Sequence, residues 1–424
     1  MTDSAQLLFS QALTVLATSV AAITIARTLE PEDWAIFSAF VGLSLALTLV
    51  ADLGVSGWLL RELSALVADG QHRPGGVSQL VSSGIVINGL VAIPLLVAAT
   101  VWTISARPGA QTSVALLSLL TYGALTTSAN GLEAYLRARR EVRIVLSASL
   151  LEKGVLIVLV LASVILGAGI AAIGLAYLVA GVSRIAFDGF FVFGRQRLTF
   201  IPPRRDDVWN VARASLPFAL NGAAFNLAPR LDTFVLISMS TTSAAWFAIG
   251  DRVLGPALLV PSTLASALYP FMAAHAAKRT SPWKLAGALG ALGAALAAIG
   301  IVLAPILVPL VFGEAYGDAV SVVQVMLLSV PLVYATSPLL VIAYSHGRER
   351  SLLIPTVGTS LAGTLAIVVG QAAGGPVLAG AGFVARFGLF LLVVGVVAHI
   401  AWRRHTVNDD PGVPASRRVS AQSP

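Results

Sequence analysis

The 424 residues are 57% hydrophobic and 11% charged, with a mean hydropathy of +0.87; a water-soluble domain carries roughly 25% charged residues and could not hide this much apolar surface. The net charge is +7, yet no polar segment is long enough to form the basic face of a nucleic-acid binder. There is no cysteine, which excludes disulfides, thiol chemistry and Cys-ligated metals, and the five histidines lack metal-ligand spacing.

Apolar runs of about 20 to 30 residues recur between short polar breaks, and each is long enough to cross ~30 Å of hydrocarbon as a helix. The run LIVLVLASVILGAGIAAIGLAYLVAG is apolar on every face, where a barrel strand would alternate. The expected fold is therefore all-α and integral to the membrane, with about twelve transmembrane helices in two six-helix halves around a central cavity. The predicted spans are 5–26, 35–60, 78–104, 111–135, 145–167, 169–193, 208–238, 244–274, 285–312, 319–345, 351–372 and 376–402. The first run begins near Gln6 with no preceding Lys or Arg and no small-residue cleavage site, so it reads as a retained span.

The longest connection, 194–207 with Pro202 and Pro203, separates an N-terminal half (1–193) from a C-terminal half (208–402). The polar stretch 403–424 reads as a disordered cytoplasmic tail. With the N-terminus inside, the inner loops and tail hold Arg61, Arg73, Arg137, Arg139, Arg140, Arg143, Arg195, Arg197, Arg204, Arg205, Lys278, Arg279, Lys284, Arg348, Arg350, Arg403, Arg404, Arg417 and Arg418. The outer loops hold only Arg27 and Arg107. That asymmetry places both termini in the cytoplasm.

No G-x-x-x-x-G-K-[ST] phosphate loop occurs. The predicted outer loops are too short for a membrane glycosyltransferase, polymerase or ligase site, and the trio Glu30, Glu32 and Asp33 reads as a solvated helix start after Pro31. No enzyme and no cofactor are expected.

Charges at membrane depth are costly and face the bundle interior or a watery cavity. Near the inner ends, Glu133 and Arg213 can reach the interface and are read as structural. In the hairpin of spans 7 and 8, Arg230 lies level with Arg252 and Asp232 with Asp251. Either crossed pairs neutralise one another, or the arginines are lent to an anionic substrate. Arg184 and Asp188 sit one turn apart and either pair or serve a site. Arg386 has no acid on its own helix and needs a partner elsewhere; Asp52 on span 2 is a candidate, at a modest mismatch in depth, and otherwise the arginine faces substrate. A guanidinium suits phosphate through its planar fork of donors. Gln11 on span 1 and Asn221 and Asn226 on span 7 make the first helix of each half polar, as a cavity lining or as helix-to-helix contacts.

Two stretches resemble the polysaccharide flippase branch of the multidrug/oligosaccharidyl-lipid/polysaccharide (MOP) exporter superfamily. The first is ARTLEPEDWAIFSAF with VADLGVSGWLLRELS, where Arg27, Leu29, Asp52, Leu53, Gly54 and Arg61 carry the likeness. The second is SLPFALNGAAFNLAPRLDTFVLISM with the helix after it, where Pro217, Asp232, Arg252 and Pro270 do. Trp34 and Ala35 stand where that branch usually has Tyr-Gly. The resemblance implies alternating access and a cationic lumen in a bacterial cytoplasmic (inner) membrane. It implies as cargo a polyprenyl-diphosphate-linked oligosaccharide moved from inner to outer leaflet. Arg386, Arg252, Arg230 and Arg184 are then the diphosphate contacts, while Asp52, Asp188, Asp232 and Asp251 serve coupling or ion pairing. Expected partners are the lipid-linked oligosaccharide, membrane lipids and a glycan polymerase or glycosyltransferases, with the chain a monomer. The alternatives are an ion-coupled drug exporter and a transport-dead scaffold for glycan synthesis.

Overall fold

The computed structural model describes residues 3–68, 74–106, 108–273, 282–345 and 349–408. Its helices are α1 (Asp3–Thr28), α2 (Pro31–Asp52), α3 (Val55–Ala68), α4 (Pro74–Ala106), α5 (Ala110–Ala138), α6 (Val142–Ile165), α7 (Gly169–Gly189), α8 (Arg205–Ile237), α9 (Thr241–Ala273), α10 (Pro282–Phe312), α11 (Ala319–Leu327), α12 (Ser329–Ser345), α13 (Glu349–Gly374) and α14 (Pro376–Asn408). Among the described residues there is no strand. Nine segments there are long and apolar enough to cross a membrane, with α11 and α12 counting as one. α1, α8 and α9 match them in length, at 26, 33 and 33 residues. The order is that expected from hydropathy. The basic positions Arg73, Arg107, Lys278, Arg279 and Arg348 and the tail 409–424 lie outside the described residues.

Two expected spans are each divided: 319–345 at Leu328 into α11 and α12, and 35–60 at a sharper turn. The run 35–60 is two helices, broken where Leu53 and Gly54 adopt left-handed backbone with φ 45° and 71°. Glycine enters that region freely, whereas leucine pays about 1 to 2 kcal/mol. Two features offset that cost. Asp52 accepts hydrogen bonds from the Ser56 N–H at 3.3 Å and the Ser56 hydroxyl at 2.9 Å, capping the new helix. Val55, Trp58, Leu59 and Leu63 of α3 then bury in a cluster with Leu132 and Leu136 of α5 and Val81 of α4.

The chain divides into two compact units. The first is Met1–Ala248 with Pro309–Tyr316. In it α5 packs against α2 and α7, and α8 against α2, α3 and α4. Lipid offers no hydrophobic drive between helices, so close approach and hydrogen bonds must hold them. A Cβ at Gly123 would lie 2.6 Å from the Ser44 carbonyl oxygen, and one at Gly174 would lie 2.8 Å from Ala115 Cα. The Thr48 hydroxyl donates to the Gly123 carbonyl at 3.0 Å, and Asn88 Nδ2 to the Thr127 carbonyl at 3.2 Å.

α7 ends in a π-helical turn, Phe190–Arg195. The connection that follows is tied down: Leu198 joins the α3 cluster and the Ile201 N–H donates to Ser82 Oγ at 3.1 Å. The segment Pro309–Tyr316 packs on the end of α1. There the buried Tyr316 hydroxyl donates to the Ala26 carbonyl at 3.1 Å, and Arg27 donates to the Leu310 carbonyl. Burial pushes the pKa of the Tyr316 hydroxyl up.

The second unit is Ile249–Val308 with Gly317–Pro424. α14 is its spine, packed against α11, α12 and α13. A Cβ at Gly382 would lie 2.5 Å from the Ala366 carbonyl carbon, so α13 and α14 meet backbone to backbone. Pro338 and Pro355 lie inside α12 and α13.

Gly174→Val is expected to lower the thermal midpoint in detergent by the equivalent of about 1 to 3 kcal/mol, since backbone must move to admit it. Gly89→Ala, where an added Cβ meets nothing within 4 Å, is expected to leave the midpoint unchanged or slightly raised.

Candidate functional site

Three helices of the first unit bring ionisable side chains to one point. Tyr122, Asn130 and Glu133 recur on α5 at spacings that keep them on one face; Glu152 and Lys153 sit midway along α6; Arg184 and Asp188 lie one turn apart on α7. Glu133, Glu152 and Asp188 are all buried, at 7%, 1% and 0% exposure.

Arg184 is the hub. Its guanidinium donates to Glu133 at 2.6 Å, to Asn130 Oδ1 at 3.2 Å and to Glu152 at 3.2 Å, and its Nε lies 3.9 Å from the Asp188 carboxylate. The other oxygen of Glu152 accepts from the Tyr122 hydroxyl at 2.6 Å and from Lys153 Nζ at 2.8 Å. Glu133 also accepts from Arg137 one turn along α5. Three carboxylates thus meet three cations. Each charge of the set has an opposite neighbour, as low dielectric demands, and Glu133 and Glu152 are hydrogen-bonded besides.

The pairing of Arg184 with Asp188 expected from their spacing is the loosest contact of the set. Its nearer partners come from other helices, and Glu133, expected at the interface, is one of them. A guanidinium engaged by two carboxylates and an amide oxygen has few donors left to lend.

Arg386, in the second unit, is 4% exposed. It donates to Thr364 Oγ1 at 2.8 Å, and its guanidinium carbon lies 6.0 Å from the centre of the Phe383 ring. Its aliphatic stem lies on α13 at Gly363, where any Cβ would collide with it. Glycine at 363 makes room for the arginine, a role no local sequence pattern announces.

Asp52, half-buried, is the cap of α3 described above. Asp232 is buried on α8, and Asp251 and Arg252 are half-buried on α9. The side chains of Gln11, Asn221, Asn226 and Arg230 lie outside the described residues.

Arg184→Met is expected to cost about 3 to 5 kcal/mol, because Glu133 and Glu152 lose their shared cation. Adding Glu152→Gln is expected to recover part of that loss. A double-mutant cycle on thermal or denaturant midpoints would then return a coupling above about 0.5 kcal/mol, and additive effects would contradict the network.

A family model described as polysaccharide biosynthesis protein matches residues 2–275. Among solved structures, an inward-facing multidrug resistance MATE family transporter of the MOP superfamily is similar at TM-score 0.72 and 16% identity, covering 94% of this chain and 96% of that one. The lipid II flippase MurJ, in an inward closed conformation, is similar at TM-score 0.67 and 11% identity, covering 94% of this chain and 89% of that one. A MOP superfamily transporter from Pyrococcus furiosus is similar at TM-score 0.64 and 17% identity, covering 100% and 96%. At these identities the likeness is one of fold. No curated protein matches.

Proposed function

Because the chain belongs to the polysaccharide biosynthesis protein family of MOP-superfamily membrane transporters, we propose that it is a flippase. Its cargo is a polyprenyl-diphosphate-linked oligosaccharide, passed from the inner to the outer leaflet of a bacterial cytoplasmic membrane by alternating access, with both termini inside. The observation that carries this reading is the family match, which runs through 2–275 and so includes all of α9. A cation-coupled drug exporter calls for acidic groups to dominate the cavity, whereas the intramembrane charges here are balanced or slightly basic, which favours an anionic cargo.

Of the four arginines assigned to the diphosphate, Arg184 is already engaged by Glu133 and Glu152. Its role is to fasten α5, α6 and α7. Arg386, with Arg252 and Arg230, is the cation to test first. Gln11, Asn221 and Asn226 pass the sugars, and Asp52, Asp188, Asp232 and Asp251 supply ion pairing or coupling. The chain works as a monomer beside the glycosyltransferases or polymerase that make and use its cargo.

A second reading, an ion-coupled drug exporter, draws on the fold likeness to the MATE transporter. Proteoliposomes carrying labelled lipid-linked oligosaccharide separate the two. Wild type is expected to transfer the label between leaflets, and Arg386→Ala to slow transfer about tenfold or more, which corresponds to about 1.4 kcal/mol. Gly363→Ala, which keeps the charge but displaces it, is expected to slow transfer as well. Full transfer by Arg386→Ala removes that residue from the site. Absence of transfer by wild type, with extrusion of a cationic dye, turns the assignment to the exporter; absence of both leaves a scaffold.

A further inference from the structure

The first unit holds a cavity of about 470 Å³ where α3, α4 and α8 converge, within the ~300 to 1,000 Å³ range of small-molecule sites. Its walls include Trp58 of α3, Gln79, Leu80 and Ser83 of α4, and Asp207 and Asn210 of α8. None of these residues has a part in the transport scheme above.

Asp207, Gln79 and Ser83 are held in place by hydrogen bonds yet keep unused capacity. One oxygen of Asp207 accepts from the Arg204 N–H at 3.0 Å, closing the first turn of α8, and from Gln79 Nε2 at 2.7 Å. Its other oxygen has no donor among the described residues, nor has Gln79 Oε1, and the exposed Asn210 carboxamide makes no hydrogen bond there. The Ser83 hydroxyl donates to the Gln79 carbonyl at 2.8 Å and retains its lone pairs. The buried Trp58 and the half-buried Leu80 give the same cavity an apolar part of its wall.

This donor and acceptor set selects its ligand. A carboxylate oxygen, two carboxamides and a hydroxyl offer mostly acceptors, which call for a ligand bearing several O–H donors. An apolar ligand would leave those groups unpaired, at a cost. A phosphate would meet the carboxylate. A cation would compete with the two donors Asp207 already serves, beside the exposed Arg204 and Arg205. The indole and leucine wall matches the C–H face of a ring whose hydroxyls point the other way.

We propose that the cavity between α3, α4 and α8 binds a neutral vicinal polyol of pyranose size, held by Asp207, Gln79 and Asn210 against Trp58. That the polyol is a sugar of the transported lipid rests on the flippase reading; the binding itself does not. The glycerol headgroup of phosphatidylglycerol presents the same chemistry and is the other source.

Saturation-transfer NMR on the full chain tests this. The chain is held in phosphatidylcholine nanodiscs, free of sugar detergents, and the probes are the methyl glycosides of glucose, galactose and mannose. Transfer to at least one glycoside is expected. Asn210→Leu is expected to reduce it about fivefold, the equivalent of about 1 kcal/mol, with an unchanged thermal midpoint; Asp207→Asn, which can still cap α8, is expected to reduce it likewise. Displacement of the glycoside by phosphatidylglycerol nanodiscs assigns the polyol to the headgroup, and persistence assigns it to sugar. No transfer to any glycoside, or transfer indifferent to both substitutions, overturns the proposal. Glycoside binding without leaflet transfer of lipid-linked oligosaccharide would sink the flippase reading and leave the polyol site standing.

Discussion

A charge inside hydrocarbon must find its counter-charge within the protein, and the first unit is arranged around that requirement. Arg184 on α7 cannot be placed at all unless α5 presents Glu133 and α6 presents Glu152 at the same depth, so one guanidinium sets the register of three helices. Smaller polar groups obey the same demand locally. The hydroxyls of Thr24, Thr121 and Thr126 each donate to the carbonyl four residues earlier on their own helix, which lets them lie in apolar spans at little cost.

Close packing is the second half of the arrangement. With or without a charge pair, helices meet through residues that lack side chains: Gly123 on the α2 backbone, Gly174 on α5, Gly382 on α13. The two devices converge at Arg386, whose long side chain can be buried only because Gly363 leaves a channel for it on the neighbouring helix. A buried cation and a packing glycine are there one feature.

The number and order of the helices were legible in the sequence because hydropathy is summed over some 20 residues and tolerates local irregularity. The break after Asp52 was hidden for the same reason: Leu53 is apolar, so the span reads on through it, and the cue lies in the Asp-Leu-Gly turn with Ser56 four residues beyond the acid. Asp52, read from the sequence only as an intramembrane charge, also holds the first turn of α3 through Ser56. Arg184 and Asp188 were visible as a pair since one turn separates them. The stronger partners, Glu133 and Glu152, stand 51 and 32 residues away in the chain, beyond any periodicity. The polar cavity at Asp207 is beyond periodicity on the same ground, being assembled from three helices none of which is distinctive alone.

The chain passes between its two compact units three times, after Ala248, Val308 and Tyr316. The first two of these crossings fall inside helices, α9 and α10, so no contiguous stretch of the gene encodes either unit whole. During synthesis, the first unit has its final part only when Tyr316 has emerged to meet the end of α1. By then α9 and α10, most of whose residues belong to the second unit, have already been made. Assembly of the two units must therefore overlap in time, and the ribosome delivers them as interleaved tasks instead of as one domain after another.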